Sequence, residues 1–223
     1  MKNGNLDTNK LFGRKKSRST DIKSQNILKN FLPKYQLNNL AIDDINREIE
    51  FEIGFGYGEY LLWQAINNQE KMFIGAEPFL SGVTSLIKKI EERQLNNIMI
   101  STDNAINVLD SLADNCLTAI YILFPDPWPK KRHQKRRLVN PINTEKMCRV
   151  LRNEGKIYVA SDHKDYIYSI LLNFLNNNRF EWLCQKSSDF IKKPYPSTQS
   201  KYEKKAVANR QNPVYLTFKK ISL

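Results

Sequence analysis

The sequence predicts an α/β fold: a mostly parallel seven-stranded sheet with helices on both faces and an antiparallel hairpin at one edge. Three observations carry this expectation. Short apolar runs rich in β-branched and aromatic residues recur along the chain. Between them lie segments whose apolar residues stand three or four apart, the spacing that gives a helix one buried face. The last two strand-like runs are instead joined by a long polar segment, 186–212, which suits an antiparallel pair at the sheet edge.

In chain order, residues 1–20 carry many charges and no apolar periodicity, and are expected to form a flexible basic arm. A short amphipathic helix should follow, with Ile27, Leu28, Phe31 and Leu32 on one side and Pro33 stopping it. Strand-length runs then fall at 49–53, 72–77, 97–101, 119–124, 156–161, 180–185 and 214–219. Helical patterns occupy 59–68, 79–94, 105–112, 142–152 and 165–178, the last with Ile167, Ile170, Leu171 and Phe174 as its buried stripe. There is no internal repeat and no boundary that would justify a second domain. With 41% hydrophobic residues in 223, residues 21–223 can fill the core of one domain of the larger α/β kind.

The formal charge of +12 is unevenly spread. Residues 1–40 carry a net +7, 41–128 carry −9, 129–156 carry +8, 157–184 carry −1 and 185–223 carry +7. If the fold brings the three basic blocks to one face, that face attracts a polyanion with salt-sensitive strength. A generally basic surface is the alternative. Cys116, Cys148 and Cys184 are odd in number, far apart and without C-x-x-C spacing, as expected of reduced thiols in a cytoplasmic protein. His133 and His163 are the only histidines, so no metal site is expected. The polar, basic start has no apolar core, and no window approaches a membrane span, so no membrane association is expected.

The first strand runs into Gly54, Gly56 and Gly58, in G-x-G-x-G form. Glycines here permit a tight turn and let a ligand approach the backbone. The spacing departs from the dinucleotide fingerprint G-x-G-x-x-G. Glu77 closes the second strand 21 residues beyond Gly56, where a carboxylate can accept both hydroxyls of a ribose. An adenosine-containing ligand is the leading reading; capping of the next helix is the alternative for Glu77. After the third strand, either Asp103 or Asn104 can hold an adenine amino group, or cap a helix. Asn104 is the preferred contact.

The fourth strand ends in "ILFPDPWPKKRHQKRRL", which sets Asp126 between two prolines and directly before a run of cations. Prolines restrict the backbone that presents the acid, and the cations suit phosphates. Trp128 offers either a stacking surface or a packing anchor.

Together, "EIGFGYGEYL", "GAEPF", "FPDPWPKKRHQKRRL", "SDHKDY" and "SKYEKKA" resemble, in order and spacing, the bacterial tRNA (guanine-N7-)-methyltransferases, from about residue 10 onward. The resemblance implies a Rossmann-like class I methyltransferase fold. It also implies S-adenosyl-L-methionine (AdoMet) as donor, without a metal, and methylation of guanine at position 46 in the variable loop of tRNA. It implies AdoMet contacts at Glu52, Gly54, Gly56, Glu77, Asn104 and Asp126, with Asp126 also the catalytic residue. Lys130, Asp162, Ser200, Lys201, Tyr202 and Glu203 match substrate contacts, and Arg132, His133, Gln134, Lys135, Arg136 and Arg137 match an RNA-binding stretch. Two positions depart from the family pattern: Ser200 stands where Thr is common, and Asn104 where many relatives carry Asp. No obligatory protein partner is implied, and monomer and homodimer are both compatible.

Guanine N7 exposes a lone pair in the plane of the base, so attack on a methyl group needs no prior deprotonation. The requirement is alignment and matched electrostatics. Two rivals are weaker. An enzyme acting on an exocyclic nitrogen would carry Asp-Pro-Pro-Tyr order where this chain has P-D-P-W. A nonenzymatic RNA-binding module would not need Glu52, Gly54, Gly56, Glu77 and Asp126 together.

Overall fold

The computed structural model describes residues 22–37, 46–194, 203 and 212–222. The expected arm over 1–20 lies outside them, as do Ser200, Lys201 and Tyr202. The strands are β1 (Ile49–Ile53), β2 (Met72–Ala76), β3 (Ile98–Ser101), β4 (Leu117–Leu123), β5 (Leu151–Ser161), β6 (Phe180–Trp182) and β7 (Val214–Lys220). The helices are α1 (Ile22–Tyr35), α2 (Glu59–Asn67), α3 (Leu80–Arg93), α4 (Ala105–Ser111), α5 (Pro141–Val150) and α6 (Lys164–Leu175). The strands form one seven-stranded sheet in the order β3-β2-β1-β4-β5-β7-β6. β1 to β5 pair in parallel, and β7 runs antiparallel between β5 and β6.

Alternation of side chains across each strand builds two large cores, beside a smaller cluster of Tyr60, Ala119 and Tyr121. Ile49, Phe51 and Ile53 enter one with Ile106, Leu109, Met147, Tyr166, Ile170 and Phe174, under α4, α5 and α6. Phe73, Ile98 and Ile100 enter the other with Tyr35, Leu61, Val83, Leu86, Ile87 and Ile90, under α1, α2 and α3. β1 is buried along its whole length, as a central parallel strand must be, so Glu50 and Glu52 are buried too. Lys71 Nζ reaches Glu50 at 2.7 Å and Tyr121 donates to it at 2.9 Å, which satisfies that acid.

Several boundaries differ from expectation. Pro33 does not stop α1; it lies inside the last turn, where its missing N–H costs the helix one bond. Lys34 and Tyr35 both bond Glu91 of α3, and Leu37 N donates to Ile100 O at 2.9 Å, so tertiary contacts hold the end in place. Phe31 is 37% exposed, while Ile27, Leu28 and Leu32 pack on the core. The α6 stripe centres on Tyr166, Ile170 and Phe174, with Ile167 and Leu171 on its flank. α5 stops at Val150, two residues early, because Leu151 pairs with Leu117 of β4 and the chain then bulges before Lys156 joins the ladder. β6 ends at Trp182.

Candidate active site

The sheet order reverses between β1 and β4, so the carboxyl ends of β1, β2, β3, β4 and β5 line one edge around that switch point. The chain turns there at Gly54, Gly56 and Gly58, with φ of 73°, 57° and 73°. These left-handed values are open to glycine and strained for other residues. Gly54 N donates to Ala76 O at 2.8 Å, tying the turn to β2. A Cβ at Gly54 would meet nothing within 4 Å, so the backbone there borders open space.

Glu77 leaves the end of β2. Its carboxylate accepts from Gly56 N at 2.8 Å and from Phe79 N at 2.9 Å, so it braces the glycine turn and fixes the entry to α3, whose N-cap residue is Phe79. Burial raises its pKa, the two backbone N–H groups oppose the rise, and the nearby Asp126 charge adds to it.

Glu52 is 4% exposed, and its Oε2 has no hydrogen-bond partner among the described residues. Burial, followed by the charges of Glu59 and Glu77, pushes its pKa up to about 8, against a hydrogen bond from the Leu61 backbone. A buried acceptor left unpaired is costly. Placed on β1 just before the glycine turn, this acid fits the edge of a site for a cationic ligand group.

Asn104 is the N-cap of α4: its side chain accepts from Ile106 N at 3.1 Å. Asp103 accepts from Asn104 N at 2.6 Å and from Asn107 Nδ2 at 2.9 Å. Both residues thus shape the turn after β3, at the edge where an adenine reading places them.

Asp126 follows β4 on a turn whose backbone is unusual. Phe124 and Trp128 have φ of 55° and 42°, left-handed values for bulky residues on either side of the acid. Asp126 is exposed at its surface side, and partial desolvation in the turn raises its pKa above the ordinary aspartate value of 3.8. Beyond it, Lys131–Arg136 form a 3₁₀ helix. Lys130, Lys131, Arg132 and Lys135 are exposed, His133, Gln134 and Arg136 half-buried, and Arg137 buried. Trp128 sits edge-on to His133 with ring centroids 6.0 Å apart, and Arg136 lies 5.0 Å from a Trp128 ring. Trp128 is half-buried and is held in place by these two contacts. His133, among Arg136, Arg132 and Lys130, is lowered in pKa by desolvation first and those cations second.

Asp162 follows β5 and stands half-buried at the same edge. Glu203 is buried, accepting from Lys193 Nζ at 2.6 Å and Tyr215 OH at 2.7 Å. Its charge is held inside the protein, which distinguishes it from an exposed surface pair. Sequence reasoning missed Gly82 of α3, where a Cβ would lie 1.9 Å from Gly56 O. An isolated glycine inside a helical pattern was the available signal.

A parallel sheet closed by an antiparallel β7, with a glycine turn and acidic strand ends at its switch point, defines a Rossmann-like methyltransferase fold. A solved structure of an antibiotic-related methyltransferase superposes with a TM-score of 0.56 at 16% identity, over 92% of this chain and 97% of that one. In sequence, the family described as "Putative methyltransferase" matches residues 46–216. A tRNA (guanine-N(7)-)-methyltransferase of Zymomonas mobilis is 34% identical over 222 residues, 97% of this chain and 96% of its own. One from Bartonella quintana is 37% identical over 219 residues, 93% and 94% of the two chains. The chain belongs to the tRNA (guanine-N(7)-)-methyltransferase family.

Proposed function

We propose that the protein transfers a methyl group from AdoMet to N7 of guanine in tRNA, at position 46 of the variable loop. The observation that carries this is the placement of Asp126 between two unlike surfaces. On one side is the acid-lined glycine turn, where Glu77 feels its charge; on the other is the exposed row Lys130, Lys131, Arg132 and Lys135.

The residues present fit the donor. Gly54 borders open space, Glu52 keeps a buried acceptor unpaired, and Glu77 retains acceptor capacity beyond its two backbone bonds. Glu52 and Glu77 would hold the amino-acid and ribose portions, with Gly54, Gly56 and Asn104 shaping the rest. When bound, AdoMet supplies a methyl group made electrophilic by its sulfonium. The protein's part is to orient guanine so that N7 points along the carbon–sulfur axis, since the nitrogen already carries a lone pair. Asp126 accepts from the guanine N1 and N2 donors, which strengthens as positive charge develops on the base. No proton leaves N7, so no general base is required. Asp162 and Glu203, with Ser200, Lys201 and Tyr202, complete the substrate side, and the outward-facing cations Lys130, Lys131, Arg132 and Lys135 form the RNA side.

A single methyltransferase domain over 21–223 suffices for this chemistry, as monomer or homodimer and without an obligatory protein partner. Action on tRNA supports a cytoplasmic location. No described helix is long and apolar enough to cross a membrane, and no described cluster of His, Cys, Asp or Glu suits a metal ion. The test is incubation with methyl-labelled donor and unmodified tRNA, followed by nucleotide mapping. Label in N7-methylguanosine at position 46 is expected; label on another atom, or none, overturns the reading.

A further inference from the structure

The basic stretch after Asp126 is not uniform. Lys130, Lys131, Arg132 and Lys135 face solvent, whereas Arg137 is only 6% exposed. Its Nε donates to Pro127 O at 2.9 Å, and its guanidinium lies 4.8 Å from the centroid of the Tyr166 ring. Tyr166 is fully buried, and its hydroxyl accepts from Val139 N at 3.1 Å. The Arg137 carbonyl accepts from Asn140 Nδ2 at 3.1 Å, which links it to the N-cap of α5. One guanidinium Nη2 has no hydrogen-bond partner among the described residues.

Burying a guanidinium beside a carbonyl and an aromatic ring is expensive unless the geometry serves a purpose. Arginine suits this place because its planar group donates in a fixed direction while its face lies on an aromatic ring. The carbonyl it holds belongs to the residue directly after Asp126. That short turn carries Phe124 and Trp128 at positive φ, a strained conformation that persists only where the surroundings enforce it. Three contacts enforce it: Phe124 N to Ala160 O at 2.8 Å, Arg136 against Trp128, and Arg137 on Pro127.

We infer that Arg137 is a positioning residue for methyl transfer and not a phosphate contact. It clamps the Pro125–Trp128 turn through the Pro127 carbonyl and fixes Asp126 at the mouth of the donor site. This rests on the proposed function for the reaction itself, but the division of the basic stretch into an outward and an inward face rests on geometry alone. The outward cations meet RNA; Arg137 holds the acid.

The experiment compares Arg137→Gln and Arg137→Lys with Arg132→Gln. For each, single-turnover methyl transfer, donor affinity by calorimetry, thermal unfolding and tRNA affinity across a salt series are measured. Arg137→Gln is expected to lower the transfer rate between about 10- and 100-fold, the effect of a misplacement near 1 Å. The slope of tRNA affinity against salt should stay at the wild-type value. Arg132→Gln should lower that slope by about one. Arg137→Lys keeps the charge in place of the fork, so it guards against failure of the glutamine variant to fold; it should also lose rate at unchanged slope. A slope reduced by about one in either Arg137 variant, or full transfer rate in a folded one, overturns the inference. Wild type without transfer activity overturns the functional reading instead, and the slope comparison then decides on its own whether Arg137 meets phosphate.

Discussion

Gly82→Ala separates a catalytic constraint from ordinary helix energetics, because the two predict opposite signs. Gly82 lies in the first turn of α3, and an alanine within a helix normally stabilises by about 1 kcal/mol over glycine. Here the added Cβ would stand 1.9 Å from Gly56 O and 2.9 Å from Gly56 C, both backbone atoms of the glycine turn. Relief requires α3 and the turn to separate by at least about 1 Å. Gly56 N is bonded to Glu77 Oε2 at 2.8 Å, and a shift of that size stretches the bond beyond its working range. A hydrogen bond to a charged group contributes about 1.5–3 kcal/mol, so donor affinity should fall by between about 10- and 150-fold. Calorimetric titration with AdoMet, alongside circular dichroism to confirm folding, measures this directly. A variant that unfolds at higher temperature and binds AdoMet as tightly as wild type would refute the close approach of α3 to the turn.

Three further outcomes follow from the same geometry. Glu52 has its folded pKa raised from 4.5 to about 8, so the stability tied to its protonated form is present below about pH 4.5 and is lost as pH rises through about 8. Glu52→Gln should flatten that dependence, with wild type losing on the order of 2 kcal/mol relative to the variant between pH 5 and 7 in denaturant titrations; parallel curves would contradict an unpaired buried acid. Replacing Lys131, Arg132 and Lys135 together with Gln should lower the salt slope of tRNA binding by about three, and an unchanged slope would remove the phosphate row. Asp126→Ala should abolish methyl transfer while tRNA affinity is mostly kept; equal loss of binding would mark the acid as structural.

Periodicity made most of the fold legible. The β1 pattern of Ile49, Phe51 and Ile53 with Glu50 and Glu52 between them reads as an ordinary half-buried strand, yet both faces are covered, and that burial gives Glu52 its shifted pKa. Pro33 and Leu151 misled because tertiary pairing outweighed local preference: Tyr35 is anchored on Glu91, and Leu151 belongs to the sheet. At the site, the glycine turn, Glu77 and Asp126 were legible because their order along alternating strands dictates a shared edge. The inward face of the basic stretch was not, since Lys and Arg in a row look alike until a 3₁₀ turn and a distant Tyr166 select one for burial. Glu203 shows the same limit, for its partners Lys193 and Tyr215 are chosen by the folded chain, whereas the capping role of Asn104 was one of the two readings its position allowed.

The most direct test is a crystal structure of the protein with S-adenosyl-homocysteine and tRNA. The demethylated donor should lie against Gly54 and Gly56 with its ribose on Glu77, and guanine 46 should enter with N7 toward the sulfur and Asp126 on its N1 edge. Donor density away from the switch point between β1 and β4, or Asp126 turned from both molecules, would contradict the proposed site.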